Sequence, residues 1–467
     1  MSQLKFNPLL DVDSYKLSHS KAYPTDVTGM FSYIEARTGG RDIIIPFGLQ
    51  MYLDKFLSTA LEYWMIDEAE AFAKLHGEPF DREAFDYLVE HYEYFPVIIK
   101  AVPEGTPVPS GTAIVTIECT DPKLFWLASY LETSLLRAVW YPTTIASADY
   151  AFKKELAVLY RKSGADLAGL DFALHDFGAR GVSSAETAEI GGAAHLVNFK
   201  GSDTIGGIRA ANFYYSESMA GFSVPATEHS IECSFGGGSA EEEAYLSHVL
   251  DTYAKPGIII SIVIDGYDVY RAAEKLCTKF RDQIIASGAK VVFRPDSGDM
   301  FEVVPRILAL QAAAFGYTYV SGNKGVPYAK INNVGVLQGD GIDRTTGIEL
   351  IIKVVSLGFT ADCVVLGSGG GLLQAVTRDT YKFAQKASAV RKDSTWVGIA
   401  KNPITDPGKK SKEGRLTLVR SNMTGEYMTL GLDFNTNEYT EVLQVVYQNG
   451  TRYNLTTLAE VRARCAL

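Results

Sequence analysis

Residues 257–276 read GIIISIVIDGYDVYRAAEKL. The first half is apolar and β-branched, as a buried strand requires; Asp265-Gly266-Tyr267-Asp268 interrupts it, and VYRAAEKL continues with apolar residues at helical spacing. The same order recurs along the chain. Lys290–Phe293 stops at Arg294-Pro295-Asp296-Ser297-Gly298 before VVPRILALQAAA, and Val334–Gln338 stops at Gly339-Asp340-Gly341 before IELIIKVV. Cys363–Leu366 stops at Gly367-Ser368-Gly369-Gly370-Gly371 before LLQAVTRDTYKF. Upstream, Phe172–Leu174 runs into His175-Asp176-Phe177-Gly178-Ala179-Arg180, and the helix that follows opens with a capping-box spelling, Ser183-Ser-Ala-Glu186. Repeated strand–loop–helix units predict a parallel α/β sheet, open or closed. In a closed barrel the loops after the strands share one face, and the unusual polar residues of this chain fall in those loops.

Outside this core the pattern changes. Residues 1–150 and 386–467 mix helix and strand, are rich in aromatics and carry turn signals such as Asn449-Gly450. The expected organisation is an N-terminal α+β domain (1–150), an α/β barrel (151–385) and a C-terminal segment (386–467) that packs with the N-terminal domain. A chain of 467 residues with 47% hydrophobic and 21% charged residues can bury cores of that size. The net charge of −11 argues against nucleic acid or an anionic membrane as the main partner, although a few cations in one cleft still suffice for phosphates. Cys119, Cys233, Cys277, Cys363 and Cys465 are scattered and odd in number, which fits reduced thiols and offers no zinc framework. With no secretory signal, and with an apolar run at Ile258–Ile264 too short to span a bilayer, a soluble cytoplasmic protein is expected.

Each loop has a chemical reading beside a structural one. The glycines of 367–371 can admit a phosphate to backbone N–H groups, or make a tight packing turn; the stretch matches neither the dinucleotide fingerprint, because Leu372 replaces the last glycine, nor a P-loop. Arg294 and Asp296 can bind a phosphorylated sugar, or Asp296 and Ser297 can cap a helix. Gly339-Asp340 repeats that offer of a hydroxyl acceptor beside close backbone. Asp265 and Asp268 can hold metal-bound water or cap the helix after them. His229, one of seven histidines, reads most simply as a hydrogen-bonded structural residue, Asp203 as a helix cap, and Lys401–Arg415 as a solvated basic loop. Several such loops on one barrel face together favour a site.

In this order the pieces resemble the nicotinamide phosphoribosyltransferase family, part of the nicotinate/nicotinamide group of type II phosphoribosyltransferases. The resemblance is carried by Asp13-Ser14-Tyr15-Lys16, Leu174–Ser184, His195–Gly201 with Asp203, Val224–Ser230, Arg294–Gly298, Gln338–Gly341, Gly367–Gln374 and Thr377-Arg378-Asp379. It implies an irregular α/β barrel flanked by an α+β domain built from both chain ends, in a homodimer with shared active sites. It also implies the reaction: nicotinamide and 5-phosphoribosyl 1-diphosphate give nicotinamide mononucleotide and diphosphate, with Mg²⁺, and with ATP as a co-substrate that phosphorylates His229.

The resemblance further implies roles for individual residues. Phe177 of one subunit and Tyr15 of the other would sandwich the pyridine ring. Asp203 would accept the carboxamide N–H and Arg294 would face its carbonyl. Pro295, Asp296, Gly339 and Asp340 would line the ribose site, with Gly369, Gly370 and Arg378 at its 5-phosphate. Arg37, Arg180, Lys386, Lys401 and Lys409 would neutralise diphosphate and nucleotide phosphates beside Arg294 and His229, turning the basic loop into an anion clamp. Asp265 and Asp296 would reach the metal through water. One departure is the strand end Ile264-Asp265-Gly266, which lacks the family's hydroxyls. Two rivals remain: a nicotinate phosphoribosyltransferase, disfavoured because the Asp203 carboxylate would repel an acid, and a nucleotide sensor that binds without turnover. The commonest phosphoribosyltransferase fold is disfavoured as well, since Ile262-Val-Ile-Asp265 offers one acid where that fold carries two.

Overall fold

The computed structural model describes residues 4–38, 42–405 and 410–467. The chain divides into two compact units, one made of 148–213, 217–376 and 467, the other of 1–147, 214–216 and 377–466.

The first unit is built on six parallel strands: β1 (Leu174–Asp176), β2 (Gly201–Ser202), β3 (Ile259–Val263), β4 (Lys290–Arg294), β5 (Val334–Gln338) and β6 (Val364–Ser368). They pair in the order β2-β1-β6-β5-β4-β3. Apart from exposed Ile259 at the start of β3 and half-buried Val365 in β6, their Val, Ile, Leu and Phe side chains are buried, as expected of parallel strands covered by helices. The extended segment Phe222–Thr227 joins the two edges. It bridges β2 in parallel at Gly201–Phe222 and β3 at Ser261–Ala226, and hydrogen-bonds to both: Ser202 N donates to Phe222 O (3.0 Å) and Thr227 N to Ser261 O (3.0 Å). The sheet is therefore a curled barrel, the irregular α/β architecture expected from the strand–loop–helix units.

The helices that cover it begin where caps allow. Asp268 accepts from Tyr270 N and Arg271 N to start Val269–Cys277, which buries Ala272, Ala273, Leu276 and Cys277. Met300–Phe315 is capped by Asp299, not by Asp296 or Ser297, so Asp296 keeps its carboxylate. Ala185–His195 is capped by Ser184 Oγ accepting from Thr187 N (3.0 Å), one residue later than the expected capping box. The helix expected over LLQAVTRDTYKF is one turn, Gly370–Leu373. Beyond it the Thr377 and Thr380 hydroxyls accept backbone N–H groups, the competition that unmakes helices, and Lys382 is left-handed at φ +54°.

The second unit carries a seven-stranded sheet in which Val27–Glu35 is flanked by Ala113–Cys119 and Ala384–Lys392, so both chain ends share one sheet. Asn449 and Gly450, both at positive φ, turn Gln444–Gln448 back onto Thr451–Arg452, as the sequence reads. Tyr214–Ser216 belongs here through Tyr215, whose ring stacks on Phe47 and whose hydroxyl donates to buried Glu104 (2.6 Å).

Candidate active site

Parallel pairing puts the C-terminal ends of all six strands on one edge of the sheet, and the candidate residues leave from those ends: Phe177 and Arg180 after β1, Asp203 after β2, Asp265 after β3, Asp296 after β4, Gly339 and Asp340 after β5, Gly369 and Gly370 after β6. Arg294 is the last residue of β4.

At the centre lies the Phe177 ring. A Cβ on Gly367 would stand 2.1 Å from it and one on Gly339 3.7 Å away, so these glycines exist as the bed of the ring. The Gly339 position would also lie 3.1 Å from Asp296 Oδ1, which brings β1, β4, β5 and β6 together at one point. Gly181 meets Gly370 backbone at 2.8 Å in the same sense, setting the loop of Arg180 against Gly369-Gly370. Arg180, Asp296 and Asp340 use their charged groups in no hydrogen bond or ion pair among the described residues, which leaves an exposed cation and two carboxylates for a ligand.

Asp203 and Arg294 stand on opposite sides of the segment Phe222–Thr227, and each is held by it. Ser223 Oγ donates to Asp203 Oδ1; Arg294 Nη2 donates to Thr227 O (2.6 Å), while its buried Nε has no partner among the described residues. Asp203 accepts no backbone N–H as a cap would and is exposed, with its own N–H donating to Asp176 O (2.9 Å). Its charge reaches His175: burial drives that imidazole down to about 4, against the opposing pull of Asp203.

His229 begins the helix His229–Phe235 directly after the joining segment. Its Nε2 lies 2.9 Å from Asp265 Oδ1, its side chain is 45% exposed, and Glu232, one turn on, completes a cluster whose donor atoms lie within 4.8 Å of one another. A carboxylate only accepts, so Nε2 carries a proton, and in the neutral ring Nδ1 then holds the lone pair. Burial pushes the Glu232 carboxyl up to about 7, with Asp265 adding to the rise and the Gly266 N–H and His229 opposing it. Glu232 escaped the sequence reading, though His229 and Glu232 at a spacing of three residues on a helix were a usable signal.

Beneath the site His195 is fully buried. It contacts Asp149 Oδ2 through Nδ1 (2.8 Å) and Gly201 O through Nε2 (3.1 Å). Burial works against its charge, yet Asp149 carries its pKa above the ordinary value. The sequence reading gave neither group a role, although His195 opens the 195–201 run.

In the second unit, burial pulls the Lys386 ammonium down; Arg37, Lys401 and Arg378 lower it further, while Glu132 opposes them. Four of the expected phosphate-binding cations thus form one positive cluster there. Lys412 and Arg415, in contrast, are spent on Glu35 and Glu118. Tyr15 belongs to the same unit and is 51% exposed. Lys409 lies outside the described residues.

Two solved structures share this architecture over nearly all of their length. A nicotinate-nucleotide pyrophosphorylase from Pyrococcus furiosus superposes with a TM-score of 0.62 at 14% identity, covering 100% of this chain and 97% of its own. Human nicotinic acid phosphoribosyltransferase gives 0.58 at 16%, covering 97% and 92%. The fold is that of the type II phosphoribosyltransferases. Residues 172–451 match the nicotinate phosphoribosyltransferase (NAPRTase) family and residues 7–99 the nicotinamide phosphoribosyltransferase N-terminal domain. The chain belongs to the nicotinate phosphoribosyltransferase family and is a pentosyl-transferring enzyme. Among its relatives, a protein of Xanthomonas campestris pv. campestris named nicotinamide phosphoribosyltransferase is 44% identical over 463 residues, 98% of this chain and 97% of that one. An Acinetobacter baylyi protein of the same name is 31% identical over 503 residues, covering 99% and 97%.

Proposed function

We propose that this enzyme joins nicotinamide to 5-phosphoribosyl 1-diphosphate, releasing nicotinamide mononucleotide and diphosphate in cytoplasmic NAD salvage. The relatives' names and the N-terminal domain match support the substrate class. The observation that carries the choice of nicotinamide over nicotinate is Asp203, an exposed carboxylate fixed by Ser223 at the strand end beside Phe177. It accepts from an amide and repels an acid.

The pyridine nitrogen is already a nucleophile, so no general base is required. Phe177 holds one face of the ring and Asp203 and Arg294 orient its carboxamide, which fixes the nitrogen toward the ribose carbon. Asp296 and Asp340 accept from ribose hydroxyls, the Gly369-Gly370 backbone takes the 5-phosphate, and Arg180 meets the departing diphosphate. Mg²⁺ fits the oxygen donors here: Asp296 is uncommitted among the described residues, whereas Asp265 is already engaged by His229. When bound, it would neutralise charge on the diphosphate.

ATP acts as a helper by phosphorylating His229 at Nδ1, the nitrogen that the Asp265 contact leaves with its lone pair. Arg37, Lys386, Lys401 and Lys409 supply charge for polyphosphate, while Arg378 serves the 5-phosphate. The sites are shared in a homodimer, with Tyr15 coming from the partner. A run of exposed apolar residues at Ile205, Phe213, Met219 and Phe222 supports burial of that face against a second copy. The test is formation of nicotinamide mononucleotide by the purified chain from nicotinamide and 5-phosphoribosyl 1-diphosphate, with nicotinate as competitor. Equal or preferred use of nicotinate would overturn the assignment.

A further inference from the structure

We propose that His229, Glu232 and Asp265 form a binding site for a divalent transition-metal ion of the zinc or manganese class. One imidazole nitrogen and two carboxylate oxygens lie within 4.8 Å of one another. The His229 Nε2 to Asp265 Oδ1 separation of 2.9 Å is close to the ~3.3 Å between two ligands on a tetrahedral zinc ion. Glu232 supplies an independent sign. It is only 2% exposed, its Oε2 accepts from Gly266 N (3.0 Å), and its Oε1 has no hydrogen-bond partner among the described residues. A buried carboxyl with an unserved oxygen beside a second carboxylate is costly, and a dication bound by both relieves it. The neighbouring cations do not serve that need: Arg271 and Lys275 are both paired with Glu242.

Glu232 fits only because residue 266 is glycine. A Cβ there would stand 2.6 Å from the Glu232 carboxyl carbon, so the two positions are matched in this chain. The nitrogen donor selects against Mg²⁺, which takes oxygen, and for borderline ions. The half-exposed His229 leaves the solvent side open for a water or an anion to complete the coordination. On binding, the metal takes the Nε2 lone pair, and the proton that Nε2 carried moves through solvent to Nδ1. That removes the Nδ1 lone pair, so the bound ion blocks phosphoryl transfer to this ring; this consequence rests on the phosphohistidine reading, whereas the binding does not.

The test uses the full chain stripped with a chelator. Zn²⁺ affinity is measured by competition with a chromophoric chelator, and Co²⁺ is titrated to read the visible bands of a low-coordinate nitrogen–oxygen site. Wild type should bind one ion per chain and melt at higher temperature with Zn²⁺. Glu232→Gln, which keeps the volume, should weaken binding by about tenfold or more, since removing even an outer-shell partner of a metal ligand does so. Gly266→Ser should weaken it too, by displacing Glu232. Absence of saturable binding to wild type overturns the proposal without reference to any variant's folding. So does an affinity that is the same in wild type, Glu232→Gln and Asp265→Asn.

Discussion

Replacing Asp203 by asparagine should convert much of the enzyme's preference from nicotinamide to nicotinate. The substitution preserves volume and an acceptor oxygen, so the amide keeps a partner, and the change falls mainly on the acid substrate. Two unit charges about 4 Å apart interact by about 1 kcal/mol in water and about 4 kcal/mol at an effective dielectric near 20. Asp203 is exposed in the free chain, and a bound substrate would partly dry its surroundings, so a value of about 2 kcal/mol is appropriate. That predicts a roughly 30-fold shift in the ratio of the two specificity constants. The assay is kcat/KM for nicotinamide and for nicotinate in wild type and Asp203→Asn, with Ser223→Ala as a milder companion that frees the carboxylate. A ratio unchanged in Asp203→Asn would refute the placement of Asp203 at the ring substituent.

Other outcomes follow from neighbouring groups. His229→Ala should retain basal synthesis while losing ATP hydrolysis and an acid-labile phosphoryl group; full ATP stimulation of the variant would assign the acceptor elsewhere. Gly367→Ala puts a methyl 2.1 Å from the Phe177 ring, so it should raise KM for the base and cost about 1–3 kcal/mol of stability, read by calorimetry and steady-state kinetics. His175 is neutral when folded and titrates near 6.5 when unfolded, so the unfolded chain binds the extra proton between about pH 4 and 6.5: stability should fall with acid across that window, and less so in His175→Gln. Because Asp203 pulls that pKa upward, Asp203→Asn should lower the His175 titration seen by NMR. Mixing Tyr15→Ala and Asp203→Ala homodimers under proven subunit exchange should restore about a quarter of all sites; activity fixed at the parental level would mean each site is built within one chain.

The barrel was legible because its strands are short runs rich in Val, Ile and Leu, each ended by a glycine-containing loop that in three of the four carries an acid, and β3 to β6 fall on those runs. The joining segment was not. Phe222-Ser-Val-Pro-Ala-Thr227 has no apolar run and a proline at its middle, and it earns its place only by pairing with two separated edges. The short helix after Gly371 misled for the opposite reason: its apolar spacing is good, but threonine hydroxyls downstream offered the backbone other partners. Asp296 carried two readings in the sequence, sugar ligand or helix cap, and only the fold shows that Asp299 takes the cap. Glu232 and His195 stayed hidden because what distinguishes them, an unserved oxygen and a ring held at both nitrogens, exists only in the folded chain.

The joining segment works as a buckle. A strand inside the sheet is fastened along its length to neighbours on either side, but this one is fastened near each end to a different neighbour, and it carries the side chain that steadies Asp203 and the carbonyl that steadies Arg294. On the proposed reading of Asp203 and Arg294 as the groups that hold the carboxamide, slackening it would displace both at once. Selectivity for the base can then drift in a lineage through changes at Val224, Pro225 or Ala226 that keep every clamp residue intact. It also gives laboratory evolution a short stretch to randomise when a new pyridine is wanted.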